Sequence, residues 1–214
     1  MTKAVIFDLD GLLVDTEGVW YTVFKEILES YGHGLTLEEY LANHSGKTIA
    51  ENIQIIIEKY ALPLEHEAGV KRAIETEWKH VESGVELKAG AKELLQYLKE
   101  NHYKIALGTS STRERVRVIL KYHQIEHYFD DIVVGYDVKR GKPYPDTFLA
   151  ASERVGEAAE NCLVLEDSEA GIQAAYSAKI PVICIPDMKK PRKEYADMTE
   201  AILPSLFDVI DYLK

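Results

Sequence analysis

The sequence predicts a doubly wound α/β domain built on a parallel sheet, with an all-helical domain inserted into it. Three observations carry this prediction. Short runs rich in Val, Ile and Leu recur, amphipathic segments separate them, and one long stretch contains only helical patterns. Near-continuous apolar strands that alternate with helices are typical of a parallel sheet covered on both faces. The predicted strands are residues 3–8, 104–109, 131–135, 161–166 and 181–185, with a weaker sixth at 201–203.

Helical periodicity fills the gaps between these strands, at residues 91–100, 112–121, 145–155 and 168–178. The alternation breaks once, between residues 16 and 83, where apolar residues recur only at helical spacing. Within this block Thr48 and Glu51 form a capping-box pattern, which predicts a helix start. We therefore predict an α/β core made of residues 1–15 and 84–214, and a helical domain at residues 16–83.

Composition limits the kinds of partner that are expected. The 214 residues carry a net charge of −11, which argues against nucleic acid or an anionic membrane surface as the main partner. No apolar run approaches the roughly 20 residues needed to span a bilayer, and no signal peptide is visible, so a cytoplasmic location is expected. Cys162 and Cys184 lie inside apolar runs, and we expect them to be buried thiols.

Polar residues collect where the predicted strands end. In a parallel sheet these ends share one edge, which is where ligands bind. The first strand is followed by Asp8, Asp10 and Gly11, the second by Thr109 and Ser110, the third by Lys142, and the fourth by Glu166 and Asp167. Several carboxylates can share an edge if a hard cation such as Mg²⁺ neutralises them. A lysine and hydroxyl groups beside that cation would match the charge of a phosphoryl group.

These positions resemble the signature of the haloacid dehalogenase-like superfamily of phosphotransferases. The match consists of DxDG at residues 8–11, the hydroxyl of Thr109, Lys142 in the segment GKPYPD, and the Glu–Asp pair at residues 166–167. The helical block lies where this family inserts a helical, subclass I cap into its Rossmann-like core. The stretches DGLLVDTE and CLVLEDSEAGIQAA look closer to the pseudouridine 5′-phosphatase branch, in the group that also contains the β-phosphoglucomutases.

The resemblance implies a role for each position. Asp8 would be the nucleophile that forms an aspartyl-phosphate, and Asp10 would be the general acid and then the general base. Phosphoryl oxygens would be bound by Gly11, Thr109, Ser110 and Lys142. Mg²⁺ would be bound by Asp8, the backbone carbonyl of Asp10 and Asp167, with Glu166 in the outer shell.

Substrate choice is expected to come from the helical domain. The loop at residues 45–47 is expected to reach the substrate, with Lys47 after Gly46 touching the leaving group or the phosphate. A solvated loop lysine is an equal alternative. Trp20 stands where the similar β-phosphoglucomutases have a histidine that favours sugar transfer over water. A tryptophan at this position indicates packing or a substrate wall, and it favours hydrolysis over mutase activity.

Four further polar residues leave alternatives open. Asp15 and Glu17 flank the predicted hinge, and the alternative is that they are acids at a helix start. Ser111 heads the pattern Ser-Thr-Arg-Glu, which predicts a helix cap. Asp187 follows the fifth strand, and it either lines the site or is an ordinary loop acid.

The predicted function is a Mg²⁺-dependent phosphatase for a small phosphorylated metabolite, either a sugar phosphate or a nucleoside monophosphate. The first alternative is a phosphohexomutase of the β-phosphoglucomutase type. The second is a non-catalytic protein that binds a phosphorylated metabolite. Dehalogenation is disfavoured because that reaction needs neither a DxD acid nor Mg²⁺. A monomer is expected, with a weak homodimer as the alternative.

Overall fold

The computed structural model describes residues 2–214, and within this range six parallel strands form one sheet. The strands are β1 (Ala4–Phe7), β2 (Lys104–Gly108), β3 (Asp131–Val133), β4 (Cys162–Glu166), β5 (Val182–Cys184) and β6 (Ala201–Ile202). Each predicted strand is present, although each is slightly shorter than its apolar run. The doubly wound parallel sheet predicted from the sequence is confirmed.

The strand order places the carboxyl end of β1 at the centre of the sheet edge. The order is β3-β2-β1-β4-β5-β6, so the chain builds one half outward from β1 and then crosses back to build the other. Phe7 of β1 lies opposite Leu107 of β2 and Leu165 of β4. The residues that follow these three strands therefore lie side by side, at the switch point where open α/β sheets bind ligands.

One compact unit of the molecule, Thr16–Val85, contains only helices. These are α1 (Thr16–Glu29), α2 (Leu37–Asn43), α3 (Ile49–Tyr60) and α4 (His66–Ser83). Thr48 and Glu51 form the predicted capping box at the start of α3. The buried side chains of this unit include Val23, Phe24, Ile27, Leu28, Ile53 and Ile56.

The other compact unit combines the chain up to Asp15 with Glu86–Lys214. Its helices are α5 (Ala91–Glu100), α6 (Arg113–Tyr122), α7 (Asp146–Arg154), α8 (Glu169–Ser177), α9 (Lys193–Ala196) and α10 (Leu206–Leu213). Within this unit the two segments that flank the helical block pair with each other. Val14 forms an antiparallel bridge with Leu87, and the N–H of Asp15 donates to the carbonyl of Glu86 at 2.9 Å.

Two expectations from composition can be compared with the fold. Both cysteines are buried and free, as expected. Burial raises the pKa of the Cys162 thiol to about 11 and that of Cys184 to about 12, so neither thiol is a nucleophile near neutral pH. Within residues 2–214, no helix has both the length and the apolar character that crossing a membrane requires.

Candidate active site

Three of the predicted site residues converge because of strand register. Asp8 follows β1, and its N–H donates to the carbonyl of Leu165 on β4 at 3.0 Å. Thr109 follows β2, and its N–H donates to the carbonyl of Val133 on β3 at 3.0 Å. Glu166 ends β4 itself. The backbone ladder therefore brings these three side chains to one edge of the sheet.

Lys142 joins two of these acids from a different part of the chain. Its Nζ contacts Asp8 Oδ1 and lies 2.7 Å from Glu166 Oε1. The side chains of Lys142 and Asp8 are each 7% exposed, and that of Glu166 is 1% exposed. The lysine also lies over the ring of Phe148 on α7, at 4.6 Å from the ring centre. The loop between β3 and α7 thus delivers one buried cation to two buried carboxylates.

Glu166 is fixed by the start of the helix that follows it. Its Oε2 accepts hydrogen bonds from the N–H and the hydroxyl of Ser168, at 2.7 and 2.9 Å. A Cβ at Gly171 would lie 1.9 Å from the carboxyl carbon of Glu166, so only glycine fits on α8 at this point. The carboxylate of Glu166 is therefore held on both sides, by Ser168 and by Lys142.

The site offers a set of oxygen ligands that fits a divalent cation. Asp8, Glu166 and Asp167 each contribute one carboxylate oxygen, and these oxygens lie within 4.8 Å of one another. Oδ1 of Asp167 is buried and has no hydrogen-bond partner among residues 2–214. Buried polar atoms are normally satisfied, so this atom indicates a missing positive partner. Mg²⁺ takes carboxylate oxygens of this kind.

Gly11 makes room for Asp167. Its φ of 83° lies in the left-handed region, and a Cβ there would lie 2.3 Å from Asp167 Oδ2. The N–H of Gly11 donates to the carbonyl of Val14 at 2.9 Å, inside the turn that follows β1. This bond argues against the prediction that Gly11 binds a phosphoryl oxygen through its own amide. The observed contribution of Gly11 is the close approach of backbone and carboxylate.

The electrostatics of the cluster show a shortage of positive charge. Burial raises the pKa of Asp8 to about 7; Lys142 opposes this rise, whereas Glu166 and Asp10 add to it. Burial, followed by the charges of Glu166 and Asp8, also raises the pKa of Asp167. Burial disfavours the charge on Lys142, but Asp8 and Glu166 outweigh it and hold the pKa of Lys142 above its usual value. The charge of Lys142 lowers the pKa of Asp8 and that of Asp167, but it does not offset the effect of their burial.

Asp10 lies in a different environment, in which each carboxylate oxygen meets a donor. Oδ1 lies 2.5 Å from Nη1 of Arg115, and Oδ2 accepts a hydrogen bond from the hydroxyl of Ser111 at 2.7 Å. Nη1 of Arg115 also donates to Oγ of Ser111 at 2.7 Å. The three side chains form a closed triangle, which we call the Asp10 triangle.

The prediction that Ser111 caps a helix is wrong by one residue. Helix α6 begins at Arg113, and its N-cap is Thr112, whose hydroxyl accepts from the N–H of Arg115 at 3.3 Å. Threonine is also among the residue types that are preferred at an N-cap. Because Thr112 takes this position, the hydroxyl of Ser111 is turned to Asp10. The sequence reasoning missed Arg115, which a helix start at Thr112 would have placed in the first turn after β2.

The two hydroxyl residues predicted to bind phosphate differ in exposure. Thr109 is buried, and its Oγ1 accepts from the N–H of Ser111 at 3.0 Å. A hydroxyl that accepts one hydrogen bond keeps its own O–H to donate, so Thr109 retains a donor for a ligand oxygen. Ser110 is exposed at the same edge. Phosphate binding by either residue stays a prediction.

A family assignment matches this geometry. The family model for haloacid dehalogenase-like hydrolases matches residues 5–185, which is most of the chain and includes Asp8, Lys142 and Asp167. The chain belongs to the haloacid dehalogenase-like hydrolase family. The resemblance drawn from the DxDG segment and the strand-end residues is thereby confirmed.

Individual relatives of this hydrolase carry phosphatase and mutase names. The phosphorylated carbohydrates phosphatase of Thermotoga maritima is 34% identical over 178 residues, which cover 83% of this chain and 82% of the relative. A Drosophila melanogaster protein provisionally named a pseudouridine-5′-phosphatase is 32% identical and covers 95% of this chain and 89% of its own. A Thermotoga maritima crystal structure, provisionally named a β-phosphoglucomutase, has a TM-score of 0.83 at 30% identity and covers 100% of this chain and 98% of its own.

The predicted substrate residues of the hydrolase lie in the helical unit, where their local contacts are clear. Trp20 stacks on Phe24 within α1, with ring centres 5.8 Å apart. Gly46 has a φ of 80°, and Nζ of Lys47 contacts the backbone carbonyl of Asn43. Substrate contact by Trp20, Gly46 and Lys47 stays a prediction.

Two of the acids whose roles the sequence left open, Glu17 and Asp187, have defined contacts. Glu17 lies in the first turn of α1, as its helix-start alternative requires, and its Oε2 accepts from the hydroxyl of Tyr40 at 2.8 Å. Asp187 follows β5, and its Oδ1 accepts from Nζ of Lys88 at 2.5 Å. Its Oδ2 would lie 3.3 Å from a Cβ at Gly11, which favours the alternative that Asp187 lines the site.

Proposed function

We propose that this hydrolase is a Mg²⁺-dependent phosphatase that removes the phosphoryl group from a small phosphorylated metabolite. The observation that carries the proposal is the buried group of Asp8, Lys142 and Glu166, with the unpartnered oxygen of Asp167 beside it. Such a site combines a carboxylate nucleophile, a cation for the phosphoryl oxygens and ligands for a metal. The phosphatase names of its curated relatives support hydrolysis of phosphoric monoesters.

The residues divide the reaction into two steps. In the first, an oxygen of Asp8 attacks phosphorus, the bond from phosphorus to the ester oxygen breaks, and Asp10 gives a proton to the departing alcohol. In the second, Asp10 takes a proton from water as the water oxygen attacks phosphorus, which releases inorganic phosphate and restores Asp8. Lys142 and the hydroxyl of Thr109 hold phosphoryl oxygens, with Ser110 as a further candidate.

The acidic cluster supports the proposal that a cation takes part in this chemistry. Asp8, Asp167 and the backbone carbonyl of Asp10 would hold Mg²⁺, with Glu166 as an outer partner. When bound, Mg²⁺ supplies positive charge to the crowded carboxylates and to the phosphoryl oxygens. The raised pKa values of Asp8 and Asp167 support this assignment, because both show that Lys142 alone does not neutralise the cluster.

The substrate class is a sugar phosphate or a nucleoside monophosphate. The site in the α/β unit addresses the phosphoryl group that all such substrates share, so discrimination must come from elsewhere. We assign it to the helical unit, with Trp20, Gly46 and Lys47 as the residues to vary. The relatives support both classes, since one is named for phosphorylated carbohydrates and another for pseudouridine 5′-phosphate.

Phosphohexomutase activity is the second candidate, because the similar Thermotoga maritima structure carries a β-phosphoglucomutase name. Hydrolysis is favoured over it by the phosphatase names of the curated relatives and by Trp20 in place of the expected histidine. A non-catalytic binding protein is disfavoured because the nucleophile, the acid and the lysine are all present.

The proposal is tested by phosphate release from a panel of sugar phosphates and nucleoside monophosphates. Assays contain Mg²⁺ or EDTA, and they compare the wild-type chain with Asp8→Asn and with the exposed control Asp211→Asn. Metal-dependent release that vanishes only in Asp8→Asn is the expected result. Conversion of β-glucose 1-phosphate to glucose 6-phosphate with little release would instead identify a mutase. No reaction across the panel would leave only the binding-protein alternative, which a ligand-induced thermal shift then tests.

A further inference from the structure

The Asp10 triangle contains a largely buried arginine that the proposed reaction does not use. Arg115 is only 13% exposed, although arginine side chains are mostly found in water, and it lies 2.5 Å from Asp10. The same Nη1 atom also contacts Oγ of Ser111, so the guanidinium meets both other members of the triangle. A pair buried to this extent is screened less by solvent than the exposed ion pairs elsewhere on the surface.

The position of Arg115 is not explained by the stability of its helix. It lies in the first turn of α6, where the helix dipole favours acids and disfavours cations. Its neighbour Arg113 is in the same turn but is 60% exposed and pairs with Asp137, away from Asp10. An inward-facing cation at this end of α6 requires acceptors within reach, and Asp10 supplies one of them.

The segment that carries Ser111 and Arg115 is held by hydrogen bonds at both ends. The N–H of Ser111 donates to Oγ1 of Thr109 at the end of β2, and the N–H of Arg115 donates to Oγ1 of Thr112 at the start of α6. Ser111 and Arg115 are thus fixed relative to the sheet edge. They can hold the carboxyl group of Asp10, which is itself 33% exposed and would otherwise be free to rotate.

We propose that Arg115 is the positioning residue for the acid and base function of Asp10, with Ser111 as its second point of attachment. This inference rests on the proposed phosphatase function. Proton transfer requires the carboxyl oxygen within hydrogen-bond reach of the ester oxygen and later of water. Two donors on two oxygens fix the rotation of the carboxyl plane, which a single donor would not do. Displacing a catalytic group by about 1 Å can lower a rate by about 100-fold.

The test compares Arg115→Met, which keeps an unbranched apolar stem but removes the guanidinium, with Arg115→Lys, which keeps the positive charge. Arg113→Met is the matched control, since it removes an arginine from the same turn. We expect Arg115→Met to lower kcat by about 10- to 100-fold while KM changes by less than about 3-fold. Arg115→Lys should recover part of the loss, and Arg113→Met should match the wild-type chain.

Two further measurements separate positioning from a general effect on structure. In the Asp10→Asn background, Arg115→Met should cause no further loss of kcat, because the two residues act as one unit. With p-nitrophenyl phosphate, whose leaving group needs little proton donation, the loss of kcat/KM should be smaller than with an alkyl phosphate. A general structural defect would instead lower kcat/KM equally with both substrates, and it would lower kcat equally in the wild-type and Asp10→Asn backgrounds.

The outcomes distinguish this inference from the proposed function. If Asp10→Asn keeps full activity, the proposed role of Asp10 fails and the positioning role of Arg115 fails with it. If Asp10→Asn is impaired but Arg115→Met is as active as the wild type, or more active, only the inference about Arg115 is overturned. Equal losses from Arg115→Met with and without Asp10, or with both leaving groups, would also overturn it.

Discussion

Asp8 and Asp10 lie two residues apart on one turn, yet their surroundings differ in kind. Asp8 is buried and shares a single lysine with Glu166. Asp10 is one-third exposed, and each of its carboxylate oxygens meets a donor, from Arg115 and Ser111. The first environment is short of positive charge, whereas the second is completed by the protein itself.

Under the proposed function, this difference would allow one turn to support two kinds of chemistry. A carboxylate that attacks phosphorus can remain incompletely paired until a cation and a phosphoryl group arrive, because those ligands supply the missing charge. A carboxyl group that exchanges protons with changing partners must instead be held in orientation throughout. Four measurements, in order of decreasing expected effect, test this contrast between the two acids.

Replacing each acid by its amide should give the largest effects and should separate the two environments. Asp8→Asn should abolish turnover, because an amide cannot form the acyl phosphate. Asp10→Asn should lower kcat by about 10²- to 10⁴-fold, because only proton transfer is lost. Acid quenching with radiolabelled substrate should trap a phosphorylated protein with Asp10→Asn and none with Asp8→Asn. Label retained by Asp8→Asn would place the nucleophile elsewhere, and Asp211→Asn serves as the matched control.

The stability of the metal-free protein should depend on pH through Asp8. Its folded-state pKa of about 7 lies above the unfolded value of about 3.8, so the folded state binds the extra proton between these values. The resulting stabilisation is fully present below pH ~4 and is lost as pH rises through ~7. The whole shift corresponds to on the order of 4 kcal/mol, of which about 3 kcal/mol is lost between pH 5 and pH 8. Urea unfolding in EDTA at pH 5 and pH 8 measures the change.

Two comparisons make this pH effect specific. In Asp8→Asn the fall in the free energy of unfolding between pH 5 and pH 8 should be smaller than in the wild type, because one of the two carboxyl groups with a raised pKa is absent and Asp167 remains. In the wild-type protein with saturating Mg²⁺ the fall should also shrink, because the cation stabilises the ionised carboxylate. A fall of equal size in all three samples would mean that Asp8 is not the source of the pH dependence.

Mg²⁺ itself should stabilise the protein by an intermediate amount. A ligand that binds only the folded state at 100 times its dissociation constant contributes about 2.7 kcal/mol to the free energy of unfolding. Asp167→Asn should lose this gain, yet it should be at least as stable as the wild type in EDTA, because it removes one of the crowded acids. Asp211→Asn should respond to Mg²⁺ as the wild type does. A full Mg²⁺ response in Asp167→Asn would exclude Asp167 as a ligand.

The sequence predicts the Asp8 environment far better than the Asp10 environment, for a physical reason. Asp8, Thr109 and Glu166 each lie at the end of a strand, and parallel strands align their ends, so an apolar run followed by a polar residue is sufficient evidence. Lys142 is predicted to join this set because it occurs in the segment GKPYPD. Each of these features can be read from a short stretch of sequence, and the alignment of the strands then brings the residues close together.

The Asp10 triangle depends instead on where one helix begins. Both Ser111 and Thr112 are good caps, and choosing between them decides whether a serine faces the helix or Asp10. The contact of Lys88 with Asp187 is similarly non-local, because it needs Val14 and Leu87 to pair across the residues inserted between them. Propensity and spacing alone do not determine such contacts.

Ser111→Ala should give the smallest effect, and it measures how much of the Asp10 orientation depends on the second donor. The substitution removes one hydrogen bond, worth about 0.5–1.5 kcal/mol, while Arg115 continues to hold the other carboxylate oxygen. We expect kcat to fall by about 2- to 12-fold, with KM and the Mg²⁺ response unchanged. Ser110→Ala is the neighbouring control, and it should raise KM if that hydroxyl binds phosphate. If Ser111→Ala equals Arg115→Met in effect, the triangle acts as a single unit and neither donor alone orients Asp10.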